Sequence, residues 1–264
     1  MYIRPTAPLP HNGVVEEAIR LYRESFRRCV PIALLASVVS AAFGFFVLSY
    51  ARRAGLSLSP MELLDTYSQP PIMAASLLQS VLSLGFYGAL VVTQYALACG
   101  NRRMDFAQAL RIGFTRLGRA VIATILSTCL IVIGLFLLLV PGFYYLGALC
   151  LWPVAIYGDD AGAVRSLDVS RKLIRGHWWR SSSILSVALL VVLVLSIITG
   201  LAAGLLAAFW RADSADAQMV MQLATALANI VVLPMVPASQ VALYQDLKLR
   251  REIAGGATPP AGRP

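Results

Sequence analysis

Charge is what the apolar stretches of this chain lack. No Asp, Glu, Lys, Arg or His occurs from Val30 to Ala51, Ile72 to Cys99, Ala120 to Val140, Phe143 to Tyr157, Ser182 to Trp210 or Ala217 to Tyr244. Proton- and sodium-driven transporters usually carry such groups inside their spans, so that mechanism has no material here. Histidine is scarce as well. His11 and His177 are the two histidines, too few for a histidine metal site or a Ser-His-Asp arrangement, and His177 reads as a polar residue at the membrane surface. The four cysteines, Cys29, Cys99, Cys129 and Cys150, have no C-x-x-C spacing, which argues against zinc and against a disulfide framework and leaves them as small packing residues. A cleavable leader is not evident either. The first 29 residues are polar and mixed in charge, so the first apolar run reads as a retained membrane helix.

What is present is hydrophobic mass. Of 264 residues, 58% are hydrophobic and 13% charged, with mean hydropathy +0.73, too apolar for a soluble globule of this length. The expected fold is all-α: a polytopic integral membrane helix bundle of about six transmembrane helices with three amphipathic cytoplasmic interfacial helices. A flexible arm at 1–13 and a disordered tail at 253–264 flank one six-span domain at 14–252.

Each of these six uncharged stretches is one expected span, because about 20 residues at 1.5 Å cross a hydrocarbon core of about 30 Å. Phe143 to Tyr157 is the short one, 15 residues containing Pro153; it is expected to cross, with Pro141 and Gly142 turning the chain before it. Pro234 and Pro237 should kink the sixth span. Gly200 and Gly204, in G-x-x-x-G spacing, offer the fifth span a surface for close helix approach. Between spans, Val15, Ala18, Ile19, Tyr22 and Phe26 form one helical stripe and Phe106, Ala109, Leu110, Gly113, Phe114 and Leu117 a second. Asp105 with Gln108 predicts a capping box.

With six crossings, 19 of the 22 basic residues fall on one side, which puts both termini in the cytoplasm and explains most of the +9 net charge without nucleic acid as a partner. The three basic segments align without gaps at their membrane ends: Val15, Phe106 and Leu167 share one position, Phe26, Leu117 and Trp178 another, and Arg28, Arg119 and Arg180 a third. The chain therefore reads as three copies of surface helix, crossing out, crossing back, or as three independent helices obeying the same interfacial preferences. In either case Arg28, Arg119, Arg175, Trp178, Trp179 and Arg180 are candidate contacts for anionic phospholipid headgroups.

Uncharged polar residues gather on two spans. Ser76, Ser80, Ser83, Tyr87 and Gln94 lie along one face of the second, and Gln218, Gln222, Thr225, Asn229 and Gln240 along one face of the sixth. Ser83, Tyr87, Gln94, Gln222, Asn229 and Gln240 are the candidate cavity-lining set, by default through helix-to-helix hydrogen bonds. The acidic pairs Glu16–Glu17 and Asp159–Asp160 are expected to cap surface helices, and Asp246 to pair with Lys248 or Arg250 at the surface. No cofactor or metal is expected. The expectation is a non-enzymatic inner-membrane protein that contacts anionic lipids or other membrane proteins; a transporter or channel for a neutral or zwitterionic solute is the alternative.

Two stretches carry a resemblance. AVRSLDVSRKLIRGHWWR (Ala163 to Arg180), after a Pro-Gly and an apolar segment, resembles a loop of bacterial membrane proteins related to the membrane domain of glycerophosphoryl diester phosphodiesterases and of YciC-like proteins. LYQDLKLRRE (Leu243 to Glu252) is similar to the exit of the last helix in that group, with Gln245 where a second Tyr is expected. The resemblance spans roughly residues 14 to 252 and implies about six helices in an inner membrane. It does not carry the phosphodiesterase activity, which in those proteins lies in a separate soluble domain.

Overall fold

A computed structural model describes residues 7–55, 67–101, 104–137, 139–209 and 214–255. Features expected elsewhere, including most of the N-terminal arm, Trp210, the side chain of Gln218 and the C-terminal tail, lie outside the described residues. Among the described residues the regular structure is ten α-helices: α1 His11–Arg53, α2 Pro70–Ala98, α3 Phe106–Thr115, α4 Leu117–Leu137, α5 Leu139–Ala148, α6 Trp152–Tyr157, α7 Ala163–Ile174, α8 Trp178–Phe209, α9 Ser214–Val232 and α10 Met235–Ala254. Six stretches are long and apolar enough to cross a membrane: α1, α2, α4, residues Val140–Tyr157, α8, and Met219–Ala254. The all-α six-span fold stands.

Several local expectations give way. The first surface helix and the first span are one 43-residue helix, α1. It starts at His11, inside the expected arm, and runs through Pro31 without a break. From Val14 to Val30 the sequence offers no proline or glycine to stop propagation, and adding a residue to a formed helix is far easier than starting a new one. α1 buries Val14, Ala18, Leu21, Ser25, Cys29 and Ile32, a stripe at helical spacing rotated slightly from the one expected. Ile19, from the expected stripe, is 48% exposed.

The prolines depart from expectation at Pro141 and meet it at Pro234. Pro141 and Gly142 lie within α5 instead of forming the turn before it; a proline in a first helical turn loses no hydrogen bond. Gly142 packs against α4 so closely that a Cβ there would lie 2.4 Å from Leu135 Cγ and one on Gly134 would lie 3.0 Å from Gly142 Cα. The fourth segment is two helices, α5 and α6, with Pro153 at the start of α6. In the sixth segment Pro234 separates α9 from α10 outright, while Pro237 sits in the first turn of α10. Carbonyls beside that break are bonded by other helices: Tyr22 donates to Val231 O at 2.9 Å and Gln94 Nε2 to Pro234 O at 2.8 Å, which is how a broken helix is made tolerable inside a bilayer.

The capping box at Asp105 forms as expected and starts α3. Nothing lies within 4 Å of where a Cβ on Gly200 or Gly204 would stand, so the G-x-x-x-G face of α8 packs no other helix among the described residues. The core sits at the end of the bundle where α1, α2, α6 and α10 meet, around Leu21, Leu97, Ile156, Tyr157, Leu243 and Tyr244. Small residues on α2 allow this. A Cβ on Gly88 would stand 2.3 Å from the Tyr157 ring, whose hydroxyl donates to Leu84 O at 3.2 Å. Gly88→Ala is therefore expected to destabilise the detergent-solubilised protein by about 1–3 kcal/mol, the usual effect of overpacking. Gly118→Ala, with open space around it, should leave the thermal midpoint unchanged; equal midpoints for both variants would contradict this packing.

Candidate functional site

Three aspartates organise the end of the bundle that carries the basic segments, and two of them were expected to be helix caps. Asp159 and Asp160 follow α6, but the residue before α7 is Gly162 and neither carboxylate caps that helix. Asp159 instead accepts from the Tyr95 hydroxyl at the end of α2, from Tyr244 Oη at 2.7 Å and from Lys248 Nζ at 2.8 Å. It joins α2, α6 and α10. Its neighbour turns the opposite way because Asp160 adopts a left-handed φ of 57°, a conformation that Asp tolerates better than most residues. Asp160 Oδ1 then pairs with Arg116 Nε at 3.1 Å and Arg119 NH1 at 2.7 Å.

Asp246 is the third. It was expected to pair with Lys248 or Arg250 at the surface; it does pair with Arg250, but its side chain is 3% exposed and Lys248 is committed to Asp159. Asp246 accepts from Leu9 N at 2.9 Å, Arg180 NH2 at 3.1 Å and Arg250 Nε at 2.8 Å. Arg180 also donates to Leu9 O at 2.7 Å, as does Arg250 NH2. The two stretches that carry the sequence resemblance thus meet at the Arg180–Asp246 pair. A pair this buried is held by its geometry, and removing one partner of such a pair typically costs about 3–5 kcal/mol because the other is left uncompensated.

The remaining acidic pair also departs from expectation. Glu17 lies inside α1 rather than at its start and pairs with Arg20 at 2.8 Å.

The residues proposed from sequence for lipid contact separate into four groups. Arg119 and Arg180 hold aspartates of the same chain. Trp178 stacks on Tyr144 at 6.2 Å between ring centroids and donates Nε1–H to Tyr144 O at 3.0 Å, so it closes the bundle. Trp179 is 79% exposed and Arg175 is exposed. Arg28 is half-buried in α1 and makes no ion pair among the described residues. The position shared by Arg28, Arg119 and Arg180 therefore does two different things, binding an aspartate in the second and third segments and not in the first.

The polar spans do come together. Tyr87 donates to Gln240 Oε1, and Gln240 Nε2 donates to Cys150 O at 3.0 Å. Gln94, fully buried, reaches Pro234 O and Ser25 Oγ. Gln222 Nε2 donates to Ser40 O at 3.3 Å. Ser76 and Ser80 instead bond backbone carbonyls of their own helix. Between α1, α2 and α9 a cavity of about 340 Å³ is lined by Ser40, Ser80, Ser83, Tyr87 and Asn229 together with apolar side chains. Sequence reasoning missed Tyr95, Tyr244 and Leu9 as polar partners. The adjacency of Asp159 and Asp160, with basic residues 41 and 89 positions away in sequence, gave no periodic signal to find them. Among the described residues no group of three His, Cys, Asp or Glu could hold a metal.

Residues 73–247 match the family described as a domain of unknown function, DUF7847. The chain belongs to this family. Over 189 residues it is 25% identical to a UPF0259 membrane protein of Photorhabdus laumondii, covering 63% of this chain and 72% of that one. A UPF0259 membrane protein of Sodalis glossinidius is 24% identical over 184 residues, covering 63% and 73%. Both relatives are bacterial membrane proteins by name. No solved structure matches. The DUF7847 region takes in Asp159, Asp160, Arg180 and Asp246, whereas α1 and Leu9 precede it. Asp159 and Asp246 thus take partners from the flanking segments, Lys248 for the first and Leu9 and Arg250 for the second, whereas Asp160 is held from within the region.

Burial alone would raise the Asp159 pKa, but the bonds from Lys248, Tyr95 and Tyr244 and the Lys248 charge outweigh it and hold the carboxyl below the ordinary carboxylate value. A folded pKa lower than the unfolded value of about 3.9 gives stability that is fully present above about pH 4 and is lost as pH falls through the folded value. Asp159→Asn should therefore be less stable than the parent at pH 7. The difference in thermal midpoint should shrink as pH is lowered below 4, and a difference that stays constant from pH 7 to pH 3 would refute the assignment.

Proposed function

We propose that this chain is a non-enzymatic protein of the bacterial inner membrane, with both termini in the cytoplasm, that associates with anionic phospholipid through its basic face. The observation that carries the reading is how the cations at that end divide. Arg116, Arg119, Arg180, Arg250 and Lys248 are taken up by Asp159, Asp160 and Asp246. Arg111, Arg165, Arg171, Arg175 and Arg251 are exposed and make no ion pair among the described residues. Trp179 stands exposed beside them, as an interfacial anchor does. Positive charge clustered at one end favours the cytoplasmic side, and each Lys or Arg near an anionic surface contributes about 1 kcal/mol. Kinship with the membrane domain of glycerophosphoryl diester phosphodiesterases and with YciC-like proteins belongs to the same reading, supported by the contact between the two stretches that carry it.

The test is phosphatidylglycerol enrichment around the protein in mixed phosphatidylglycerol and phosphatidylcholine nanodiscs. Changing the five exposed arginines to Gln should lower the enrichment at least fivefold, while Arg119→Gln should lower stability and leave enrichment unchanged. Unchanged enrichment in the fivefold variant would overturn the reading.

A second reading is passage of a neutral or zwitterionic solute, favoured by the polar cavity at Ser83, Tyr87 and Asn229. In a background free of native cysteines, Ser83→Cys and Asn229→Cys should then react with membrane-impermeant thiol reagents from one side. Inertness of both positions would remove it.

A further inference from the structure

A second cavity opens between α1, α8 and the α9–α10 break. It holds about 340 Å³ and is bordered by Ile19, Tyr22 and Arg23 of α1, Ala188 and Leu195 of α8, and Met235 of α10. Apart from Arg23 and two hydroxyls its walls are hydrocarbon. Ile19 and Arg23 also border an adjoining cleft, whose other walls are Glu16, Arg20 and Glu24. The apolar slot therefore continues directly into a patch carrying two carboxylates and two guanidiniums.

The position of this patch is unusual. Leu9 and Arg180 are bonded to each other, and Arg23 and Leu195 line the same slot, so α1 and α8 run side by side in the same direction from a common anchor. Fourteen or fifteen residues at 1.5 Å place Arg23 about 21 Å along that pair. The neighbouring surface of α8, with Leu190, Val194 and Ile198 exposed, is built to face lipid. A guanidinium beside such a surface requires a polar counterpart or an escape to the interface. Arg20 is already paired with Glu17, whereas Arg23 and Glu16 are exposed and join no ion pair among the described residues. They lie two helical turns apart on one face of α1.

We propose that this groove holds one zwitterionic glycerophospholipid of the phosphatidylethanolamine type. An acyl chain fills the slot, the phosphate meets Arg23, and the ammonium faces Glu16. Charge complementarity selects this occupant. Outside the Arg20–Glu17 pair, Glu16 and Arg23 give the rim one carboxylate and one guanidinium, so a purely anionic headgroup would meet repulsion from Glu16 wherever it met attraction from Arg23. A primary ammonium presents three hydrogen-bond donors to a carboxylate, and a quaternary ammonium presents none. The proposal rests on the reading of the protein as lipid-contacting, and adds a site with a headgroup preference opposite to that of the exposed basic face.

Native mass spectrometry of the full chain, released from nanodiscs of equal phosphatidylethanolamine, phosphatidylglycerol and phosphatidylcholine, tests it. One phosphatidylethanolamine per chain should survive release in preference to the other two lipids. Arg23→Gln and Ala188→Phe should each reduce its retention at least fivefold, and Glu16→Gln should shift retention toward phosphatidylglycerol. Leu193→Phe, on the exposed face of α8, should change nothing. If Ala188→Phe does not insert, the two rim variants decide the outcome, because both positions are exposed. Equal retention of all three lipids, or retention indifferent to Arg23→Gln and Glu16→Gln, overturns the site. Phosphatidylglycerol enrichment that still depends on the five exposed arginines would leave the broader reading standing in that event, so the two failures are distinct.

Discussion

A carboxylate that is 3% exposed at the end of an apolar bundle must be fully satisfied, because a buried charge without partners costs several kcal/mol. Asp246 meets that demand with one backbone amide and two guanidiniums from three separate parts of the chain. The rest of the architecture follows from the constraint. Leu9 can reach Asp246 only if α1 runs back along α10, and Arg180 only if α8 starts beside both. The groove between α1 and α8 exists because this one contact sets the two helices off from the same point.

Inside the bundle, polar order is kept by uncharged groups. Pro234 removes a backbone donor where α9 meets α10; Tyr22 of α1 and Gln94 of α2 bond carbonyls beside that break, and Gln240 of α10 accepts from Tyr87 of α2 and donates to Cys150 O between α5 and α6. Such bonds in membranes contribute about 0.6 kcal/mol each on average. Their value lies in direction more than in strength, since apolar side chains alone do not distinguish one helix rotation from another.

The all-helical class and the six spans were legible because each is a property of long runs of residues. The polar faces of α2 and the last segment were legible too, since spacing along a helix is local information. What escaped was pairing across distance. Asp159 and Asp160 sit where a cap would, and only the left-handed backbone at Asp160 sends the two carboxylates to different partners. The stretch from Val14 to Arg28 has the composition of a surface helix, yet without a breaker before Pro31 it continues into the first span. Pro141 resembled a turn residue, but its place in the first turn of α5 makes it compatible with helix.

The broken segment at Pro234 also bears on how such a chain is assembled. Its carbonyls take their donors from Tyr22 and Gln94, which belong to the first and second helices. A ribosome delivers those donors to the bilayer long before it delivers the acceptors. The last hairpin therefore arrives at a ready-made template, and a chain with its two halves permuted would have to hold the same unpaired carbonyls in lipid until their partners were synthesised.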